Sequence, residues 1–192
     1  MSDPNFFFES ERLRFSYWLP TDEHCEFLVK LWNEPLFIAG EGNTGIDTVE
    51  KARTRIVERF IPDHERNGYG QYLVSLKDSG KKIGGASLTL LKDSAISLPD
   101  VGFAILTEET GKGYGPEAGR AVIEWVMRER GVEGVFGFCS PKNARSRRTM
   151  EKAGLEFRGI HKLLQFGPDV NGCCYATPGL KDPAEYNVGI SK

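Results

Sequence analysis

Three glycines, Gly111, Gly113 and Gly115, stand at alternate positions in TEETGKGYGPEAGRAVIEWVM (107–127), with Pro116 next and a long apolar-periodic segment behind them. Glycine has no Cβ, so such a stretch can take positive φ and let a ligand approach the backbone. Pro116 suits the first helical position, where a missing N–H costs nothing. A helix N-terminus presents unpaired N–H groups and the positive end of the dipole, which together bind phosphate. Lys112 adds a charge beside them. The same glycines also suit a plain tight turn. A P-loop is excluded, because the string G-x-x-x-x-G-K-[ST] does not occur. GYGPEA matches the dinucleotide pattern G-x-G-x-x-A, but the strand after it ends in FCS with no acidic residue to hold a ribose. A second mononucleotide half would not fit in the remaining chain.

These residues need elements to position them. ERLRFSYWL predicts a strand with Leu13, Phe15 and Tyr17 on one face. Thr21 offers an N-cap, followed by Asp22 and Glu23 in the first turn of a helix. Phe27, Leu28, Leu31 and Trp32 form its apolar stripe, and Pro35 is expected to stop it. IAGEGNTGID reads as a glycine-rich loop, after which Thr48 caps a second helix with the stripe Val49, Ala52, Ile56, Val57 and Phe60. YGQYLVSLK, KIGGASLTLL and DVGFAIL predict three strands, separated by DSGK and KDSAISLP. A helix from about Pro116 to Arg130 follows, then the buried strand VEGVFGFCS and a basic helix from Asn143 to the stop at Gly154. LEFRGIHKLLQF and GCCYAT predict a closing strand pair, and the last dozen residues a tail. Runs of neighbouring strands imply a mixed sheet, and the strand–helix–strand unit at 101–139 implies one parallel crossover. The fold class is α/β (α+β).

Composition sets the bounds. A chain of 192 residues with 40% hydrophobic content suits one domain, 1–192, with a core over about 10–178. A net charge of -2 gives no reason to expect a nucleic-acid partner. The apolar runs are too short for a membrane span, and MSDPNFFFES lacks the start of a signal peptide, so a cytoplasmic protein is expected. Cys25, Cys139, Cys173 and Cys174 match no zinc pattern, and His24, His64 and His161 form no ligand set. No metal is expected, and the cysteines read as reduced.

TGKGYG after the strand VGFAIL resembles the acetyl-CoA loop of the GNAT N-acetyltransferases: Arg or Gln, two residues, Gly, one residue, then Gly or Ala. Gly113 and Gly115 take the glycine positions, and Thr110 stands where Arg or Gln is usual. NARSRRTMEKAGL (143–155) resembles the family's later segment, and the wording is similar to the RimJ/RimL-like branch. The resemblance follows the element order over roughly 10–178 and is specific over about 100–158. It implies a GNAT-like mixed, largely antiparallel sheet flanked by helices, with one parallel β-α-β unit. It also implies acetyl transfer from acetyl-CoA to a primary amine, a peptide N-terminus or a small molecule, by direct attack. The partners are then acetyl-CoA and an amine acceptor, with no nucleic acid and no membrane, in a monomer or homodimer.

The same resemblance assigns residues. The backbone of Phe103, Ala104, Ile105 and Leu106 holds the pantetheine and acetyl group, and Gly111, Lys112, Gly113, Tyr114, Gly115 and Pro116 receive the pyrophosphate. Asn143 either bonds the CoA arm or serves as a plain N-cap. Lys142, Arg145, Arg147, Arg148 and Lys152 either meet CoA phosphates or form a solvated face. Asp100 either accepts the amine's proton or is a solvated strand-end carboxylate, and Ser146 can donate to the thiolate. Met150 occupies the position of the family's tyrosine and cannot donate a proton. Thr110 and Met150 motivate the alternative of a catalytically impaired CoA-binding or regulatory module. Cys139 ends a strand close to the expected thioester, and packing is its expected role. The acceptor is shaped by FIAGEGNTGID and LLQFGPDVNG, where Glu41, Asp47 and Asp169 either attract a cationic amine or are solvated.

Overall fold

Period-two apolar patterning and glycine punctuation build a sheet of eight strands in the order β1-β2-β3-β4-β5-β6-β8-β7. The computed structural model describes residues 6–92 and 94–189. The strands are β1 (Phe7–Glu9), β2 (Leu13–Tyr17), β3 (Gln71–Leu76), β4 (Lys82–Thr89), β5 (Asp100–Ile105), β6 (Phe136–Cys139), β7 (Glu156–Lys162) and β8 (Asn171–Ala176). All neighbours pair antiparallel except β5 and β6, as the mixed-sheet reading required.

The β2–β3 connection holds α1 (Asp22–Trp32), α2 (Pro35–Glu41), α3 (Val49–Arg55), a π-helical turn (Ile56–Phe60) and α4 (Ile61–Asn67). Thr21 caps α1 by accepting from the His24 amide, and Cys25, Leu28 and Leu31 face inward. Pro35 does not simply stop α1. Proline at a first helical position starts a helix as readily as it breaks one, so α2 begins at Pro35 and carries Ile38 to Glu41, where the glycine-rich sequence predicts a loop. The π-turn shifts the helical phase, and Val57, expected in the stripe, is 47% exposed.

On the opposite face α5 (Tyr114–Arg130) buries Ala118, Val122, Ile123, Trp125 and Val126, and α6 (Ala144–Lys152) follows β6. Helix α5 starts two residues before Pro116, directly after Gly113, whose φ of 85° is left-handed. Gly119 lets α5 lie close to α6 and β5, since a Cβ there would sit 3.2 Å from the Ala153 Cβ and 3.5 Å from the Phe103 ring. Two departures come from the chain ends. β1 was not foreseen, because FFE is too short to show a period. The expected tail is only partly one: Leu180, Pro183 and Val188 are buried, the first and last against Phe136 and Ile96, while residues 190–192 lie outside the described residues.

The first turn of α5 is tied across the sheet to the β1–β2 corner. Glu117 accepts from the Ser10 hydroxyl at 2.7 Å, the Arg12 amide at 2.8 Å and the Arg12 Nε at 2.7 Å. Arg12 also donates to the Lys112 carbonyl at 3.1 Å and lies 4.7 Å over the Tyr114 ring. The glycine loop is therefore held from outside. Burial alone would raise the Glu117 pKa, but these hydrogen bonds hold it below the ordinary value. A carboxyl with a lowered folded pKa stabilises the fold at neutral pH and loses that contribution in acid as it protonates. Glu117→Ala is expected to cost about 2 kcal/mol, lowering Tm by about 4–8 °C at pH 7. Calorimetry should show the deficit shrinking as the pH is lowered toward acid unfolding.

Candidate active site

Strand β5 alternates its side chains between two faces. Val101 and Phe103 pack in the core beneath α5, while Asp100, Gly102 and Ala104 turn toward the α1–α2 side. Their partners on β4 are Thr89, Ser87 and Gly85. The resulting floor is made of small groups, with Asp100 as its one charged member. A Cβ on Gly102 would lie 2.6 Å from the Ser87 hydroxyl, and one on Gly85 3.4 Å from the Trp18 ring. Glycine at these positions keeps the space open.

Strands β5 and β6 pair at a single point, Asp100 opposite Phe136, where the Phe136 amide donates to the Pro99 carbonyl at 2.9 Å. Beyond it they diverge, leaving β5 backbone groups unpaired toward the gap. Two cavities open there. One, of about 880 Å³, runs from Phe103, Ala104 and Ile105 along Gly111, Gly113, Tyr114, Gly115 and Pro116 to Asn143, Arg145, Arg148 and Lys152. The other, of about 300 Å³, lies over the β4–β5 floor beneath Trp18, Trp32 and Phe37. Among the described residues, both are lined by Phe37, Glu41, Phe103, Ala104 and Ser146, so they meet there.

The larger cavity gathers most of the residues predicted for phosphate and pantetheine contacts, but not all. The Leu106 side chain is 1% exposed and packs in the helical core, and its amide donates to the Ile83 carbonyl. Lys112 is turned to Glu109, at 2.8 Å, and does not line the cavity. Arg147 leaves it too, reaching the Tyr175 hydroxyl and the Phe157 ring. Arg120, which no motif in the sequence singles out, lines the cavity and donates to the Lys152 carbonyl at 2.7 Å. Asn143 lines it as well as capping α6, accepting from the Ser146 amide at 3.0 Å. The loop needs its glycines: Gly111 and Gly113 have φ of 81° and 85°, and a Cβ on Gly113 or Gly115 would lie 3.3 Å from Arg12 Nη2 or Thr149 Cγ2.

The family described as an acetyltransferase (GNAT) domain matches residues 12–156. The chain belongs to the GNAT acetyltransferase family. An uncharacterized N-acetyltransferase of Bacillus subtilis, YnaD, is 24% identical over 71% of this chain and 80% of its own length. A probable N-acetyltransferase of the same organism, YjcK, is 31% identical over 59% and 62%. The ribosomal-protein-S5-alanine acetyltransferase of Vibrio fischeri superposes with a TM-score of 0.73 at 18% identity, covering 90% of this chain and 96% of that one. RimL, a ribosomal L7/L12 α-N-protein acetyltransferase solved with coenzyme A, gives 0.72 at 17% identity, covering 89% and 97%. These likenesses fix a GNAT fold.

Two carboxylates, Glu41 and Asp100, are the charged groups of the smaller cavity. Glu41 is open to the junction of the cavities, but the cleft walls withdraw its carboxyl from bulk water and push its pKa up. Asp100, half-buried on the floor, is raised to about 7, first by desolvation and then by repulsion from Glu41. Among the described residues neither is paired with a cation. Glu41 thus departs from the solvated-carboxylate reading, while Asp47 does fit it, bound to Lys51 at 2.6 Å on the outside. Asp169 is exposed and lines neither cavity. The Cys139 thiol is pushed up to about 11, chiefly by burial and then by Cys173 beside it, against a lowering hydrogen bond from Ser146. A thiol that stays protonated at neutral pH is a poor nucleophile. Met150 is 2% exposed under Gly137 and offers no hydroxyl.

Asp100 makes a testable cost. Its folded pKa lies above that of an unfolded aspartate, so between about pH 4 and 7 the unfolded state releases a proton that the folded state keeps. Stability falls with rising pH across that window. Asp100→Asn should therefore raise Tm at pH 8, with the gain shrinking toward pH 4.5; a gain independent of pH would remove the buried charge as its cause.

Proposed function

We propose that this GNAT protein uses acetyl-CoA to acetylate a primary amine by direct attack, with the larger cavity holding the CoA arm and the smaller one the acceptor. The observation that carries the reading is the junction of the two cavities at Glu41, Phe103, Ala104 and Ser146, with Asp100 at the start of the same strand, β5, on the floor of the smaller one. Two GNAT neighbours support the cofactor: RimL was solved with CoA, and the microcin C7 self-immunity acetyltransferase MccE with acetyl-CoA and AMP. Support also comes from the glycine loop, whose conformation leaves N–H groups of the α5 start open to an anion. Arg120, Arg145, Arg148 and Lys152 give the cavity its positive wall.

The chemistry follows from the junction. An amine arrives as an ammonium ion, which two uncompensated carboxylates attract. Asp100, with a pKa near 7, takes the proton, directly or through one water. The neutral nitrogen then attacks the thioester carbonyl, and unpaired β5 backbone N–H groups donate to the developing oxyanion. As the C–S bond breaks, Ser146 or water protonates the departing thiolate. No covalent enzyme intermediate forms, which agrees with the high pKa of Cys139.

Because the base must be deprotonated, kcat/KM should rise with pH through about 7. Asp100→Asn should lower kcat/KM by about 10²–10⁴-fold and leave the acetyl-CoA Kd unchanged; a loss below about tenfold would remove Asp100 as the base. Gly113→Val forces a β-branched residue into left-handed backbone against Arg12 and should weaken acetyl-CoA binding strongly by calorimetry. Ser146→Ala should lower turnover without changing that Kd if its hydroxyl serves the thiolate, and leave both unchanged if water does.

A further inference from the structure

The smaller cavity carries a chemical description of the acceptor. Its walls are Trp18, Trp32, Phe37, Phe60, Phe138 and Phe166, with Phe166 54% exposed at the mouth and edge-on to Phe138 at 6.1 Å. Glu41 and Asp100 are its charged groups, and they are close enough to repel one another, so the negative charge is concentrated at the acetyl end. Among the described residues lining it there is no Lys, Arg or His. The rest of the surface is apolar or neutral. At about 300 Å³ the space sits at the lower end of the range of about 300–1,000 Å³ for small-molecule sites.

We propose that the acceptor is a small primary monoamine whose single ammonium meets Glu41 and Asp100 and whose uncharged aryl body fills the aromatic cavity. This rests on the acetyl-transfer reading above and narrows its substrate. Selection works by exclusion as much as by fit. A free amino acid brings its carboxylate beside two others with no cation to offset it. A polyamine places its second ammonium against a wall without counter-charge, and cation–π contact with the rings returns only part of that desolvation cost. A peptide N-terminus has to thread a long chain out past Leu91 and Phe166 through a cavity sized for one small body.

The test is thiol release from acetyl-CoA by the full chain with tyramine, 2-phenylethylamine, phenylalanine, spermidine and an alanine-initiated tetrapeptide, alongside acetyl-CoA calorimetry. The two aryl amines should exceed the other three in kcat/KM by about 100-fold. Phe166→Ala, a change at an exposed position, should raise KM for the aryl amines and leave the acetyl-CoA Kd unchanged. Faster transfer to spermidine, phenylalanine or the peptide would overturn the substrate assignment while leaving acetyl transfer standing. Acetyl-CoA binding with no transfer to either aryl amine would overturn it as well. Absence of acetyl-CoA binding would instead overturn the reading beneath it.

Discussion

The site exists because β5 and β6 share one rung of ladder. A parallel pair that continued would close the gap between the strands and satisfy the β5 backbone. Here the pairing stops at Asp100 and Phe136, so the sheet splits at its centre. The split does three things at once. It leaves backbone donors facing a cleft, and the two cavities join beside it. It also puts Asp100 at the apex, where water is scarce and its charge is disfavoured. What keeps the halves from collapsing is packing on either side. Phe136 is fully buried with Ile96, Cys174 and Val188, while Val101 is held with α5 in the main core.

The glycine loop depends on the same geometry. Helix α5 must start where β5 ends for its N-terminus to face the cleft, and Gly119 sets how closely the helix lies on Phe103 and Ala153. The Arg12–Glu117 clamp fixes the first turn from the other direction. Its electrostatics are local: Lys112 is spent on Glu109, so the positive wall of the cavity comes from α5 and α6 side chains.

Much of this was legible in the chain. Alternating apolar residues located β2 to β5, and G-K-G-Y-G-P marked the start of α5. Asp100 and Ser146 were named from the family's pattern, and the fold places both on the cavities. What escaped was non-local. Glu41 looked like a loop carboxylate because Pro35 reads as a stop, and only the α2 helix carries it over the floor beside Asp100. Lys112 looked like a phosphate ligand because nothing in GKG reveals that Glu109, three residues earlier, captures it. The smaller, aromatic cavity is assembled from Trp18, Trp32, Phe60, Phe138 and Phe166, which have no spacing in common. The buried Val188 belongs to the same class, since its partners Ile96 and Phe136 are far away in sequence.

The central claim is that the split in the sheet is the reaction centre, with the two proposed substrates meeting there from the two cavities. A crystal structure with a bisubstrate analogue, CoA joined through a short acetyl linker to 2-phenylethylamine, tests it most directly. The expected result is the pyrophosphate against residues 111–116, the sulfur beside Ser146 and Ala104, the nitrogen within reach of Asp100 and Glu41, and the ring among Trp32, Phe60 and Phe138. An analogue bound with its nitrogen outside the β5–β6 gap, or with Asp100 turned away from it, would contradict the claim.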